Sequence, residues 1–222
     1  MNVASFLAQI GLVSRSQTST FLKHWYIQIN SQTIFSPVNL RHGDTILIGN
    51  QIYHYQDHYT ILLYKPQGYV CSEKDEWWFV SYKQLLQNYP YHRLVSCAGR
   101  LDGNSHGLIL CTSDGQLIHR ITHPKSKLPK TYHVQVKFPL SDADIDQLRH
   151  GVVLDDGTPT LPAQIHYLGD DHKKVSLTIV EGKFHQIKRM MIAVHNQVTD
   201  LCRVSIGPRN LENLLPGQYQ EI

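Results

Sequence analysis

The sequence is short of the features that announce many common chemistries. Its 222 residues include only four cysteines, Cys71, Cys97, Cys111 and Cys202, and no C-x-x-C pair. That speaks against a disulfide framework and against a zinc ribbon, and it points to a reducing compartment. Fourteen histidines are present but dispersed, and no H-x-x-x-H on a helical pattern comes with a third ligand, so no metal site is expected. No basic segment precedes an apolar run at the N-terminus, and no run approaches the length of a membrane span. The expectation is a cytoplasmic protein without membrane contact. Nucleotide-binding motifs, internal repeats and low-complexity segments are lacking too, and no cofactor is expected. The formal net charge of +3 is too small to argue by itself for a polyanionic partner.

What is present becomes informative once it is placed along the chain. Residues 93–130 carry Arg93, Arg100, Arg120, Lys125, Lys127 and Lys130 against two aspartates. Residues 183–209 carry Lys183, Lys188, Arg189, Arg203 and Arg209 against Asp200, while residues 141–171 set seven aspartates against Arg149. Such a chain can present a basic face and stay near neutrality overall. Hydrophobic residues make up 41% of the sequence, enough for a real core.

The hydrophobic periods sort the chain into two parts. Val3, Phe6, Leu7 and Ile10 follow helical spacing with Gly11 as the stop, and Ser14 can cap a second helix that turns Thr18, Phe21 and Leu22 inward. "YIQIN" and "HGDTILIG" read as short strands, and "NQIYHYQDHY" as a linker. This first part buries too little to be more than a mini-domain, placed at residues 1–56. From residue 59 to 222 the strands lengthen: "YTILLYK", "KTYHVQVKF" and "KVSLTIVEG". "LSDADIDQLRHG" reads as a helix with Ser141 as N-cap and Gly151 as stop, and "FHQIKRMMIAVHN" as another ended by Asn196. Strands with isolated helices and no regular alternation predict an α+β fold with a mixed, largely antiparallel sheet and flanking helices.

Asp102 lies in "AGRLDGNSHGLILCTSDG", residues 98–115. Taken alone it is a turn residue, as aspartate commonly is. In context the segment resembles the catalytic-loop signature of the RsuA/RluA superfamily of bacterial ribosomal RNA pseudouridine synthases: G-R-L-D, two residues, Ser/Thr, one residue, G-L, an apolar strand, then T-x-D-G. Ser105, Gly107, Leu108, Thr112, Asp114 and Gly115 fall on that pattern. "YKPQGYVCS" resembles the K-P-x-G opening of the same domain, "HRITHPKSKLPKTYHV" its Lys-x-Tyr segment, and "VEGKFHQIKRM" its E-G-x-x-x-Q-[IV]-[KR]-R-M motif. The N-terminal part is similar to an S4 RNA-binding domain. It departs from that outline at Trp25, Tyr26 and Ser31, and its few cations, Arg15, Lys23 and Arg41, imply modest attraction to RNA. Trp25 and Tyr26 suit either stacking on bases or packing.

The resemblance implies that Asp102 is the catalytic carboxylate and Lys188 the cation that keeps it ionised. It implies that Tyr132 stacks on a flipped-out uridine, that Ile187 packs against the base or its aromatic neighbour, and that Arg100 assists flipping. Arg120, Lys125, Lys127, Lys130 and Arg189 are then contacts to RNA phosphates. The reaction it implies is uridine-to-pseudouridine isomerisation, which needs no redox cofactor or metal. The wording of the motifs is most similar to members that modify 16S rRNA, so the expected partner is 16S rRNA within a ribosomal assembly intermediate, met by a monomer. A 23S rRNA enzyme of the same superfamily and a non-catalytic RNA-binding assembly factor are the alternatives. A hydrolase with paired carboxylates lacks a second acid near the loop, since Asp114 sits in a turn.

Overall fold

A computed structural model describes residues 1–222. The chain divides into two compact units: residues 1–60 with 86–96 and 112–114, and residues 61–85 with 97–111 and 115–222. No helix is long and apolar enough to cross a membrane.

The first unit begins with helix α1 (Val3–Gln9), whose N-cap Asn2 accepts a hydrogen bond from the Ser5 amide. Helix α2 (Thr18–His24) follows. Ser14 does not cap it; it precedes a short 3-10 turn, and its hydroxyl bonds the Gln17 side chain instead. Thr18 and Leu22 are buried as the spacing predicted, whereas Phe21 is half-buried and stacks on Trp25. Four antiparallel strands, β1 (Ile27–Ile29), β2 (Gln32–Thr33), β3 (Thr45–Ile48) and β4 (Gln51–His54), lie in the order β2-β1-β3-β4. The stretch read as a linker therefore supplies an edge strand. Only Tyr53 of its four residues is buried, which is why no apolar alternation betrayed it. The β1–β2 turn is Asn30-Ser31, with φ of 49° and 68°. A two-residue hairpin turn with both φ positive favours glycine at its second position, and Ser31 occupies it here at some strain.

The second unit is built on a mixed sheet. Its strands are β5 (Thr60–Lys65), β8 (Ser96–Ala98), β9 (His106–Thr112), β10 (Lys130–Val136), β11 (Gln164–Tyr167), β12 (Lys174–Ile179), β13 (Val198–Ile206), β14 (Arg209–Asn210) and β15 (Tyr219–Glu221). The two-stranded pair β6 (Tyr69–Val70) and β7 (Val80–Ser81) stands apart from it. The main order is β11-β12-β10-β13-β9-β5-β15, with β8 on β9 and β14 on β13. The pairing of β13 with β9 is parallel, while β11, β12, β10 and β13 pair antiparallel. Six of the seven residues of β9 are buried, in keeping with a strand covered on both faces, whereas β10 alternates. Helices α3 (Gly115–Thr122), α4 (Asp142–His150) and α5 (Gln186–Ala193) complete the unit. Ile121 of α3 joins Leu62, Ala98, Leu108, Leu110 and Ile206 in one apolar cluster. Helix α4 has the cap its sequence promised: Ser141 and Asp144 exchange bonds in a capping box, and Gly151 ends it. Helix α5 stops at Ala193, before Asn196. The Asn196 side chain instead bonds the Phe138 backbone in both directions.

Gly107 is required by a close approach. Its φ is +112°, and a Cβ there would lie 2.3 Å from the Arg203 carbonyl oxygen on β13. Gly107→Ala is expected to lower the unfolding free energy by about 2–3 kcal/mol, since backbone rather than a flexible side chain must give way. Urea denaturation checks this, and a loss below about 0.5 kcal/mol would contradict it.

Candidate active site

Asp102 stands on the loop between β8 and β9, and nearly everything that fixes the loop acts on its backbone. Arg203, buried on β13, donates from Nε to the Leu108 carbonyl at 2.7 Å, from Nη1 to the Arg100 carbonyl at 3.2 Å and from Nη2 to the Gly99 carbonyl at 3.5 Å. The Gly68 amide donates to the Gly103 carbonyl at 2.8 Å, and the Leu101 amide to Cys71 Sγ at 3.3 Å. Lys65, fully buried at the end of β5, donates from Nζ to the carbonyls of Pro66, Tyr69 and Ser105 at 3.0, 2.6 and 2.6 Å. Burial lowers the Lys65 pKa to about 8, with Arg203 pushing the same way and Asp102 pulling against it. The K-P-Q-G turn and the loop are thus tied together by one ammonium.

The other half of the site comes from α5. Glu181 and Gln186 of the E-G-x-x-x-Q segment form a clasp: Gln186 Nε2 donates to Glu181 Oε1 at 2.7 Å, and Gln186 Oε1 accepts from the Lys183 amide at 2.8 Å. Lys183 Nζ and the Leu161 amide also donate to Glu181. Burial would raise the Glu181 carboxyl, and these donors outweigh it, so its pKa falls below the ordinary glutamate value. The clasp sets the start of α5, with His185 in the left-handed region at φ 48°. Gln186, Ile187, Met190 and Met191 then face inward, and Lys188 turns the other way. Its Nζ reaches Asp102 Oδ2 and Asn104 Oδ1, each at 2.6 Å. His185 Nε2 lies 3.4 Å from Asp102 Oδ1, so both carboxylate oxygens have a nitrogen beside them. Phe184, exposed, stacks on His185 with ring centroids 3.8 Å apart.

Tyr132 is buried on β10 directly across from Arg203 of β13. Residues paired across antiparallel strands share a sheet face, so Tyr132 stands on the face from which Arg203 grips the loop. Arg100 has an exposed side chain although its carbonyl is held. Arg120 lies in the last turn of α3, and Lys125 and Lys127 are exposed beyond it. Lys130 and Arg189 make contacts within the protein. Lys130 is half-buried, its pKa is lowered by burial, and its Nζ donates to the Leu128 carbonyl. Arg189 reaches Asp155 at 2.5 Å and Asp156 at 2.7 Å. No group of His, Cys, Asp and Glu is arranged to hold a metal ion.

A carboxylate on an anchored loop with an ammonium beside it, and an aromatic on the sheet face from which Arg203 holds that loop, suit chemistry on a planar polar substrate. The family model for RNA pseudouridylate synthases matches residues 58–193, which span all of these elements except β13. The chain belongs to the RNA pseudouridylate synthase family. A ribosomal small subunit pseudouridine synthase A of Pasteurella multocida (strain Pm70) is 36% identical over 228 residues, covering 100% of this chain and 96% of that protein. Its counterpart from Vibrio vulnificus (strain CMCP6) is 44% identical over 162 residues, 72% of this chain and 69% of that protein. A solved structure titled as a pseudouridylate synthase has a TM-score of 0.69 at 33% identity, covering 100% of this chain and 96% of that one. As a pseudouridylate synthase the protein is an isomerase, and its mixed α+β architecture is that of the family. The residues that motif reading missed are Lys65, Arg203, Asn104 and His185. The first two are buried cations satisfied by carbonyls. The lysine of "YKPQG" and the arginine among the apolar residues of "DLCRVSIG" were the available hints.

Proposed function

We propose that the protein converts a uridine of 16S rRNA to pseudouridine, with Asp102 as the catalytic carboxylate. The contact that carries this reading is the 2.6 Å pair between Lys188 and Asp102 on a loop held by its backbone. The ammonium sits beside the carboxylate that the chemistry needs. The naming of full-length relatives as small-subunit enzymes supports 16S rRNA.

In the reaction the uridine leaves its stack at a cost of a few kcal/mol, and Arg100 offsets part of this by contact with RNA. The base stacks on Tyr132, with Ile187 packing beside it. With the Asp102 carboxylate at the ribose and base, the N1–C1′ bond breaks, the base turns, and a C5–C1′ bond forms. The proton on C5 is lost and N1 gains one, so substrate and product are isomers. Arg120, Lys125 and Lys127 contact phosphates, as do Lys130 and Arg189 once they release their internal partners. Residues 1–56 act as an S4-like domain, the protein works as a monomer in the cytoplasm, and its substrate is a ribosomal assembly intermediate.

Purified protein incubated with unmodified 16S and 23S rRNA, free and as partial ribonucleoprotein, is expected to place pseudouridine in 16S rRNA at one position. Chemical labelling with primer extension reads the outcome, and modification confined to 23S rRNA would overturn the substrate. Tyr132→Ala is expected to keep RNA binding within a few-fold and to lose at least about 100-fold in turnover, because stacking contributes about 1–3 kcal/mol and also orients the base. Binding and single-turnover assays on the same RNA separate the two effects.

A further inference from the structure

Between β6 and β7 the chain forms a tight hairpin of which the family motifs say nothing. Glu76 and Phe79 exchange backbone hydrogen bonds of 3.0 and 2.8 Å, which leaves Trp77 and Trp78 as its two-residue tip. The two indoles are 90% and 86% exposed. Trp77 also has φ +54°, a conformation that a bulky side chain rarely adopts and that hairpin turns usually give to glycine. The protein therefore keeps two large apolar side chains in water, one of them on a backbone conformation that side chains rarely adopt. Neither burial nor turn geometry accounts for them.

The tip is fastened to the catalytic loop. The Phe79 ring lies against Gly103, where a Cβ would sit 2.5 Å from it. Gly68 links the two as well, since its amide donates to the Gly103 carbonyl and its carbonyl accepts from the Val80 amide. Two of the three nearby acids are engaged at home: Asp75 accepts from the Ser81 amide, and Glu73 pairs with Lys83 and Tyr82, while Glu76 is tied to the hairpin through its backbone. Lys74 is the one basic residue from 72 to 80, so the tip is poorly suited to phosphate and well suited to a π-face. Indole rings stack on any base with little regard for sequence.

We propose that Trp77 and Trp78 form a stacking tip that takes an unpaired nucleobase of the RNA beside the target uridine. The inference rests on the reading of Asp102 as the centre on which that uridine reacts. Because the tip contacts bases rather than phosphates, its contribution to affinity is insensitive to salt, unlike that of the cations.

The test uses the full chain and unmodified 16S and 23S rRNA transcripts. A Trp77→Gly, Trp78→Ser double variant is expected to raise KM and the RNA dissociation constant at least about fivefold. Its kcat should stay within about twofold, and its slope of log affinity against log salt should match that of the parent chain. The thermal midpoint should not fall, because glycine relieves the positive φ. A structural role for the tryptophans would give the opposite pattern, with a lowered midpoint and unchanged affinity. Trp77→Phe with Trp78→Tyr should recover most of the affinity. In a Trp25→Phe background, RNA should quench the remaining indole fluorescence. Unchanged KM and affinity in the double variant, or fluorescence indifferent to bound RNA, would overturn the tip. Should only the 23S transcript be modified, the 16S reading fails and the same measurements on 23S rRNA decide the tip. Should neither be modified, the binding and fluorescence arms decide it.

Discussion

Asp102→Asn is expected to lower turnover by at least about 1,000-fold while leaving the protein folded and able to bind RNA. Asparagine has nearly the same shape, and the loop is held through the backbone of residues 99–105 and 108 by Arg203, Gly68, Lys65 and Cys71. None of those bonds uses the Asp102 side chain. The lost ion pair is partly solvated on both sides and contributes no more than about 1 kcal/mol to stability. The variant's thermal midpoint should therefore lie within a few degrees of the parent's while its chemistry disappears. Single-turnover pseudouridine formation and thermal denaturation, measured on one preparation, give the two readings. Activity within tenfold of the parent would remove Asp102 from the reaction.

Lys65→Met should have the largest effect on stability, a loss of about 2–4 kcal/mol. Two terms oppose one another. Burying the ammonium lowers its pKa from 10.5 to about 8, a cost of roughly 3 kcal/mol that methionine would relieve. Methionine also strips the carbonyls of Pro66, Tyr69 and Ser105 of their donor; the Ser105 bond is buried and the other two part-buried, and a carbonyl orphaned in this way costs about 1–3 kcal/mol. Three orphans outweigh one relieved charge. The pH dependence separates the terms. From about pH 8 to about pH 10.5 the unfolded chain holds the Lys65 proton and the folded chain releases it. The unfolded state binds more protons there, so this group makes the protein more stable as pH rises, and below about pH 8 its burial cost is present in full. Urea denaturation at pH 7.5 and pH 9.5 should show that increment in the parent and its absence in Lys65→Met. Turnover should fall as well, because the Ser105 carbonyl holds the end of the Asp102 loop.

The helix spacing of α1, the capping box of α4 and the alternation of β10 could be read from the sequence because each is a local pattern. Strand β4 could not, since an edge strand with one buried residue carries no period. The site was legible only through its motifs. Asp102 and Lys188 are 86 residues apart, and no periodicity connects them. Lys65 and Arg203 escaped for a different reason. A buried cation satisfied by main-chain carbonyls has no side-chain partner, so the sequence offers nothing to pair it with. Arg189 shows the converse, a basic motif residue whose partners, Asp155 and Asp156, lie in the acidic stretch of residues 141–171, more than 30 positions away with no pattern to link them.

The parallel direction of one strand pair has a consequence for the chemistry. The Asp102 loop leads into β9, and α5, which carries Lys188, comes immediately before β13. Because β9 and β13 run the same way, with His106 beside Cys202, the segments that feed them arrive at the same end of the sheet. Reversing either strand would deliver the carboxylate and the ammonium to opposite ends, about 20 Å apart over a strand of this length. The charge pair is in this sense a product of chain polarity: two distant stretches meet because their strands set out from a common edge.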